Sequence, residues 1–315
     1  MKPTLSVIVP CYNHGQYLLR CLSAILQQDW KPIEVLVMDD ASTDDSALIA
    51  GRIAGQYSVV RVVRSERNCG AMATIAKGVE MAEGEYVYIA AADDEILPGL
   101  FNRSMRLLSL YPNAALCCAI AEWCEPAPGV SWFMGGGMAT DPCYLSPEQL
   151  VAIGIKGKLV LVSSTCVHRR DILIRAGNFI QELRWHADWF AVFVTAFRHG
   201  VCYVPEVLSR AHLIPGSLYT AGHKRKREHR EVLKEMMRRL DSNPFDDVRP
   251  MILRSGSLSM FGLPLLWILL SDIGCWNFLT LTYLRRLLWR VAEIKAKRYC
   301  PNWLAQRLLC WFYHA

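Results

Sequence analysis

Four short apolar runs, each followed by a segment of helical period, set the architecture open to this chain. The runs are "TLSVIVP" (4–10), "IEVLVMDD" (33–40), "SVVRVVRS" (58–65) and "EYVYIAAA" (85–92). They are rich in β-branched residues and almost continuously apolar, the pattern of strands buried on both faces. Between the first two, "QYLLRCLSAILQQ" puts Leu18, Leu19, Leu22, Ile25 and Leu26 on one helical face. Residues 44–57 and "AMATIAKGVEMAEG" (71–84) supply the next two helices. Strand, helix, strand at this rhythm predicts an α/β fold, a doubly wound and mostly parallel sheet with helices on both faces.

In such sheets ligands bind outside the carboxyl ends of the strands. Polar clusters follow three of the four runs: Pro10-Cys11-Tyr12-Asn13, Asp39-Asp40 and Asp93-Asp94-Glu95. All three are therefore expected at one edge of the sheet. The acids in "EYVYIAAADDEILPG" (85–99) then need no burial in the sheet, because the strand ends just before them.

The pattern weakens over 112–147, where "GVSWFMGGGM" reads as a strand or loop with a Gly135-Gly136-Gly137 turn. "LVLVSSTCVHRRDILIRAGNF" resumes as strand then helix, and "HADWFAVFVTAFRHGVCYVPEVLSRAH" as helix, a stop at Gly200 and a short strand. Beyond 217 the character changes. "HKRKREHREVLKEMMRRL" is a basic helix, and "SLSMFGLPLLWILLS" is apolar but bounded by Pro264 and Asp272, short of the ~20 residues that span a bilayer. "FLTLTYLRRLLWRVAEIKAKRY" sets Arg285, Arg286, Arg290, Lys295 and Lys297 among Leu and Trp. Two parts are expected: a doubly wound α/β domain over 1–218 and a basic, amphipathic helical extension over 219–315.

A net charge of +6 is too mild to mark a nucleic-acid binder, and no nucleic-acid partner is expected. The start of the chain has neither the apolar core nor the cleavage site of a secretory signal, and the twelve cysteines show no C-x-x-C pair. Reduced thiols and a cytoplasmic location are expected, with a peripheral position on the membrane's cytoplasmic face open to the last hundred residues.

Taken in order and spacing, "LSVIVPCYNHGQYLLRCLSAILQQ", "EVLVMDDASTDDS", "RNCGAMATIAKGVEMAEGEYVYIAAADD" and "LPG" resemble the family 2 glycosyltransferases of GT-A fold. The clear match covers 4–100, and a looser one continues through "WHADWF" and "YVPEVLSRAH" to about 218. The resemblance implies a nucleotide-diphospho-sugar transferase fold and an inverting transfer of a sugar to a hydroxyl. It also implies Mg2+ or Mn2+ on the diphosphate, a glycan or lipid-linked acceptor, and a place in cell-surface polysaccharide or glycan assembly. Carried over by position, Pro10 and Tyr12 line the base pocket, Asp39 and Asp40 meet base or ribose, and Asn68 and Lys77 lie beside the nucleotide. Asp93 is the last acid of the family's D-x-D metal motif, Asp94 the acid that follows, and His212 a further metal or phosphate ligand. Ala91 stands where that motif begins with an acid.

The chemistry suits these residues. A nucleoside diphosphate leaves with developing negative charge, and a hard divalent cation takes oxygen ligands and needs only one or two protein carboxylates. The acceptor hydroxyl needs a base, for which Asp188 in "RWHADWF" is the candidate, His186 the weaker one. A helix N-terminus should hold Asp188 ionised by lowering its pKa. Other readings stay open: Asp93 and Asp94 as a helix cap, Arg169 and Arg170 as a surface capping pair, Asp44 and Asp45 as caps of the second helix. The alternative function is a nucleotide-sugar-binding protein of the same fold whose catalysis is impaired. A nucleotidyltransferase is disfavoured because "PCYNHGQY" is not a Gly-rich basic loop.

Overall fold

The structure, a computed structural model, describes residues 3–125, 130–213 and 225–299. Strands β1 (Leu5–Cys11), β2 (Glu34–Asp39), β3 (Val60–Arg64) and β4 (Tyr86–Ile89) form the parallel half of the sheet, with β2 and β4 flanking β1 and β3 outside β2. Helices α1 (Gly15–Leu26) and α2 (Ser46–Gln56) cover one face. Leu18, Cys21, Leu22 and Ile25 of α1 are buried there with Val7 and Val9. Leu19 is exposed instead, so the buried stripe of α1 is narrower than its apolar residues suggest. The third helix, α3 (Ala71–Met81), covers the other face through Ile75 and Val79 against Ile8, Leu36 and Met38. Gly78 permits that approach, since a Cβ there would lie 2.6 Å from Cγ2 of Ile8.

The other half of the sheet is mixed. It adds β5 (Glu95–Ile96), α4 (Leu100–Leu110), β6 (Leu116–Cys124), β7 (Ser131–Met134), β8 (Cys143–Leu145) and α5 (Pro147–Ile155). Then come β9 (Val167–Arg169), α6 (Arg170–Arg175), α7 (Ala187–His199) and β10 (Val201–His212). The strand order is β3-β2-β1-β4-β9-β6-β10-β5, with β7 on β6 and β8 on β10. The strand expected in "LVLVSSTCVHRRDILIRAGNF" is confined to β9, and the short strand after Gly200 becomes a twelve-residue β10, its pairing with β6 shifted between Val204 and Ser209. β6 gave no signal in sequence because "LCCAIAEWC" has neither alternation nor β-branched density.

Among the described residues, the α-helices that follow are α8 (Lys226–Leu240), α9 (Arg249–Ser255), α10 (Gly262–Ser271) and α11 (Leu281–Tyr299). The expected boundary near 218 and the side chains of Lys295 and Lys297 lie outside the described residues. The helices beyond that boundary do not have a core of their own. Leu233, Met236, Met237 and Leu240 of α8, with Ile252, Leu265 and Ile268, share one cluster with Phe190, Phe193 and Phe197 of α7. Phe190 meets Phe245 edge-on at 4.9 Å, Trp189 meets Phe261 at 4.9 Å, and Arg198 donates to both oxygens of Asp247 at 2.7 Å. The segment is a helical cap that completes the domain.

Leu233→Ala should therefore lower the stability of the whole chain, by about 2–5 kcal/mol for a fully buried leucine. Urea unfolding followed by circular dichroism and by tryptophan fluorescence should shift together. A separate early transition confined to one probe would show an independent appendage.

Candidate functional site

Because β1 pairs in parallel with β2 and β4, the three polar clusters emerge on the same edge. Tyr12 follows β1 directly and is 44% exposed, beside half-buried Pro10. Asn13 adopts a left-handed backbone (φ 55°), which asparagine tolerates, and its Oδ1 accepts the N–H groups of Thr43 at 2.8 Å and Asp44 at 3.3 Å. Its own N–H donates to Oγ of Ser42. Asp44 in turn accepts from the backbone of Gly15 and Ser46, capping both helices; Asp45 makes no such bond. The loops after β1 and β2 are thus one hydrogen-bonded unit.

Asp39 and Asp40 are almost fully buried. Asp39 accepts from Ser42 N and faces Nε of Arg64 at 3.2 Å. Both oxygens of Asp40 are engaged within the protein, accepting the N–H groups of Cys69 and Gly70 at 2.8 Å each. Asn68 also accepts from Gly70, at 3.0 Å, and both Asn68 and Lys77 are exposed. Asp40 therefore shapes the turn that enters α3, where Gly70 has φ 88°.

After β4 the chain turns through Ala91 and Ala92 to Asp93 and Asp94, both half-buried. Gly99, and neither aspartate, precedes α4 as its cap residue. The carbonyl of Asp93 accepts from Arg20, and Oδ1 of Asp94 accepts the N–H of His212 at 3.3 Å. Burial first, and then the charge of Asp93, push the Asp94 carboxyl up to about 7, against the His212 N–H and Arg20. Nε2 of His212 is buried without a hydrogen-bond partner. Two crowded acids and an orphaned imidazole nitrogen fit a hard divalent cation. Among the described residues no three His, Cys, Asp or Glu side chains converge on one point, so water and phosphate oxygens would complete its shell.

Asp188 opens α7. It accepts from the hydroxyl of Ser163 at 2.7 Å and the N–H of Trp189 at 2.7 Å. Contrary to the expectation from the helix dipole, its carboxyl is raised, because burial outweighs both donors. Ser163 belongs to a tight turn, Ser163–Thr165, tied back to β4: the Tyr88 hydroxyl donates to the carbonyl of Ser164 at 2.7 Å. Burial, and next the charge of Asp94, hold the Tyr88 phenol well above its usual range, so it stays a donor. The charge of Asp94 is thus felt at Tyr88, which bonds to Ser164, and the adjoining Ser163 donates to Asp188 at the start of α7. On the other side, Arg210 of β10 bridges Glu95 at 2.9 Å and Glu122 at 2.8 Å, bracing β5, β6 and β10.

Several residues fall elsewhere. His186 is no surface residue; it is buried edge-on against His229 and Phe261. Arg170 donates to the carbonyls of Val79 and Glu80 at the end of α3, and Arg169 to Asp171, at the sheet's opposite edge. The glycine triplet packs rather than projects, with the Gly135 carbonyl accepting from Tyr203. Sequence reasoning set Asn13 at this edge without its loop-joining role, and missed Arg20, Tyr88, Ser163 and Arg210. Only Asn13, in a turn before a helix, carried a local signal.

Residues 6–128 match the family model described as Glycosyl transferase family 2. The uncharacterised glycosyltransferase YibD of Escherichia coli is 29% identical over 199 residues, 59% of this chain and 56% of its own. Glycosyltransferase GlyG of Streptococcus pneumoniae is 40% identical over 94 residues, 30% of this chain and 31% of its own. The chain thus spans between about a third and just over half of these two relatives. Among solved structures, S. aureus TarS 1-349 in complex with UDP-GlcNAc superposes with a TM-score of 0.61 at 20% identity, covering 81% of this chain and 73% of that one. The mannosyltransferase PcManGT of Pyrobaculum calidifontis, in complex with GDP-Man and Mn2+, gives 0.56 at 16% identity, covering 98% and 79%. The fold is that of the GT-A glycosyltransferases, and residues 6–128 resemble glycosyl transferase family 2.

Stability should report the buried acid. An unfolded aspartate titrates near 3.9, and folded Asp94 at about 7. Between those values the folded state holds the extra proton, so stability falls as pH rises through the window. Asp94→Asn should match the parent chain near pH 4 and exceed it above pH 7 in metal-free thermal unfolding. Parallel pH profiles for the two would show that Asp94 is not destabilised by burial.

Proposed function

We propose that this chain is a family 2 glycosyltransferase that moves a sugar from a nucleoside-diphospho-sugar to an acceptor hydroxyl, with inversion at the anomeric carbon. The reading is supported by two desolvated carboxylates linked through one phenol: Tyr88 feels the charge of Asp94 and bonds to Ser164, whose neighbour Ser163 donates to Asp188. Names of the two structural neighbours pair this fold with UDP-GlcNAc and with GDP-mannose and Mn2+, so the donor class in common is a nucleoside diphosphate linked to a sugar.

Tyr12 and Pro10 flank the base, and the turn held by Asp39, Asp40 and Asn68 closes the nucleotide side, with Lys77 exposed on α3 near the diphosphate. Asp93, Asp94 and His212 would hold Mg2+ or Mn2+, which when bound neutralises charge on the departing diphosphate. Asp188 takes the proton of the acceptor hydroxyl as its oxygen bonds to the anomeric carbon and the bond to the diphosphate breaks. Its raised pKa makes it a better base than an exposed aspartate, and turnover should fall as pH drops through that value. Ser163 and the Trp189 N–H keep the carboxylate in one orientation.

Asp93→Ala should abolish turnover and weaken metal-dependent donor binding. Asp188→Asn should leave donor affinity nearly intact while slowing turnover by about 10²–10⁴-fold. Calorimetry with UDP-, GDP-, dTDP- and CMP-sugars, with and without Mn2+, measures the binding; equal loss of donor affinity in both variants would remove Asp188 as the base. Ala91 favours the second reading, a binding protein without turnover. Its methyl offers no ligand, and its carbonyl accepts from the N–H of Asp94 at 3.2 Å and from the thiol of Cys21 at 3.9 Å. Donor binding with no transfer and no donor hydrolysis would select that reading.

The proposal extends to an anionic membrane surface on the cytoplasmic side, where a glycan or lipid-linked acceptor in surface polysaccharide assembly would be met. No single described helix is long and apolar enough to cross a bilayer. Support comes from a stripe on α10 and the turn after it: Leu263, Trp267, Leu270, Ile273 and Trp276, between 52% and 78% exposed. Exposed tryptophans among leucines beside basic residues suit the headgroup region. Liposomes of phosphatidylglycerol and phosphatidylcholine should float the full chain at low salt but not Trp267→Glu/Trp276→Glu. Removing the helices would be a poor control, because their loss uncovers α7. A parent chain that stays unbound ends the membrane reading.

A further inference from the structure

We infer that Phe133, with the row Glu122, Arg210 and Glu95, forms an acceptor subsite that holds the sugar next to the one that reacts. The inference rests on glycosyl transfer being the reaction. β7 folds back on β6 so that Phe133 lies opposite Glu122, and its side chain is 64% exposed. On the other flank of β6, Arg210 of β10 stands opposite Glu122, and Glu95 of β5 opposite Arg210. Paired residues on neighbouring strands share a face, so four adjacent strands present Phe133, Glu122, Arg210 and Glu95 on one side of the sheet.

The buried halves of these strands identify that side. Leu116 and Cys118 of β6 share a cluster with Phe190 and Phe193 of α7, and Ile120 packs against it. Cys117 and Ala119 lie instead with Phe101 and Met105 of α4. Alternation therefore sets Glu122 on the face of α7, the helix that Asp188 opens. β5 gives the same answer, because Ile96 belongs to the α4 cluster and its neighbour Glu95 points the other way. His212, two residues after Arg210 and opposite Cys124, is on the α7 face as well.

The row also lies close to Asp188. Met134 pairs with Ala121, and the next residue, Gly135, approaches the segment that leads to Ser163: a Cβ on Gly135 would lie 3.2 Å from Cγ2 of Val162. Ser163 in turn donates to Asp188 at 2.7 Å. Phe133 stands two residues back from Gly135, about 7 Å along the strand, the scale of one sugar unit. An acceptor whose hydroxyl meets Asp188 would thus set its next ring over Phe133. A pyranose offers an apolar face of C–H bonds ringed by hydroxyls, and a phenyl ring matches that face. The polar row suits the rim. Arg210 donates through Nε to Glu122 at 2.8 Å and through Nη1 to Glu95 at 2.9 Å, and Ser131 fixes the other oxygen of Glu122 at 2.8 Å. Among the described residues, Nη2 of Arg210 donates to none and Oε1 of Glu95 accepts from none, which leaves one donor and one acceptor on rigidly held groups for hydroxyls.

The test uses the full chain with whichever donor the calorimetric panel selects, Mn2+, and paired acceptor probes. These are the methyl glycosides of glucose, galactose, mannose and N-acetylglucosamine, each set against the disaccharide that ends in the same sugar: cellobiose, lactose, mannobiose and chitobiose. The parent chain should use one disaccharide about 10- to 100-fold better in kcat/KM than its monosaccharide, as for an aromatic anchor, chiefly through KM. Phe133→Ala should erase that preference. Its monosaccharide kinetics, donor affinity and acceptor-independent donor hydrolysis should stay at the parent values, which also shows that the variant folds. Phe133→Tyr should keep the preference, and so should Trp132→Ala, which alters the opposite face of the same strand. No disaccharide preference in the parent chain, a preference that survives Phe133→Ala, or one lost equally in Trp132→Ala overturns the subsite. A parent chain that binds no donor, or binds it without transfer or hydrolysis, overturns the glycosyl-transfer reading instead, a result that calorimetry and the hydrolysis assay report separately.

Discussion

Parallel pairing of β1 with both β2 and β4 is the constraint on which the rest of the site depends. Each parallel ladder forces its strands to end on the same side, so the loops bearing Tyr12, Asp40 and Asp93 share one edge without any side chain arranging it. Hydrogen bonds then convert proximity into fixed geometry. Asn13 joins the first two loops, and Asp40 holds the turn into α3 by accepting two backbone N–H groups. A carboxylate used this way costs little, because its burial is matched by donors on both oxygens.

The acids beyond β4 are held on different terms. Asp94 has one long backbone donor and a like charge beside it, and it is destabilised as an anion until positive charge arrives. Asp188 has two short donors and is still raised by burial. Tyr88 sits between the two environments, close enough to feel Asp94 and bonded to the turn that seats Asp188. An ion entering beside Asp93 and Asp94 would thus act on a region linked through one phenol to Asp188.

The helical cap matters for the same reason. Trp189, one residue from Asp188, packs on Phe261 from the cap, and Phe190 packs on Phe245. The start of α7 is wedged between the sheet and helices that come more than thirty residues later in the chain. Arg184, in a left-handed conformation just before α7, is tied to Glu228 of α8 at 2.5 Å. The last third of the chain therefore supports the site mechanically, whatever surface it also meets.

Much of the parallel half was legible in the residues. β-branched runs and helical stripes are local signals, and a strand that ends in acids declares its own loop; hence β1 to β4, α1 to α3 and the edge bearing Tyr12, Asp40 and Asp93 followed from pattern alone. The mixed half was not legible, because β6 is held in place by β9 and β10 rather than by its own alternation. The same holds for the side chains that complete the site. Ser163 is an ordinary serine until a turn brings it to Asp188, and the ionisation of Asp188 turned on burial, a property of everything packed around it. Glu95 and Arg210 are 115 residues apart, and only the register of β5, β6, β7 and β10 sets them in one row with Glu122 and Phe133. Local interactions write periodicity into a chain, whereas register, burial and long-range pairing exist only once distant segments have been brought together.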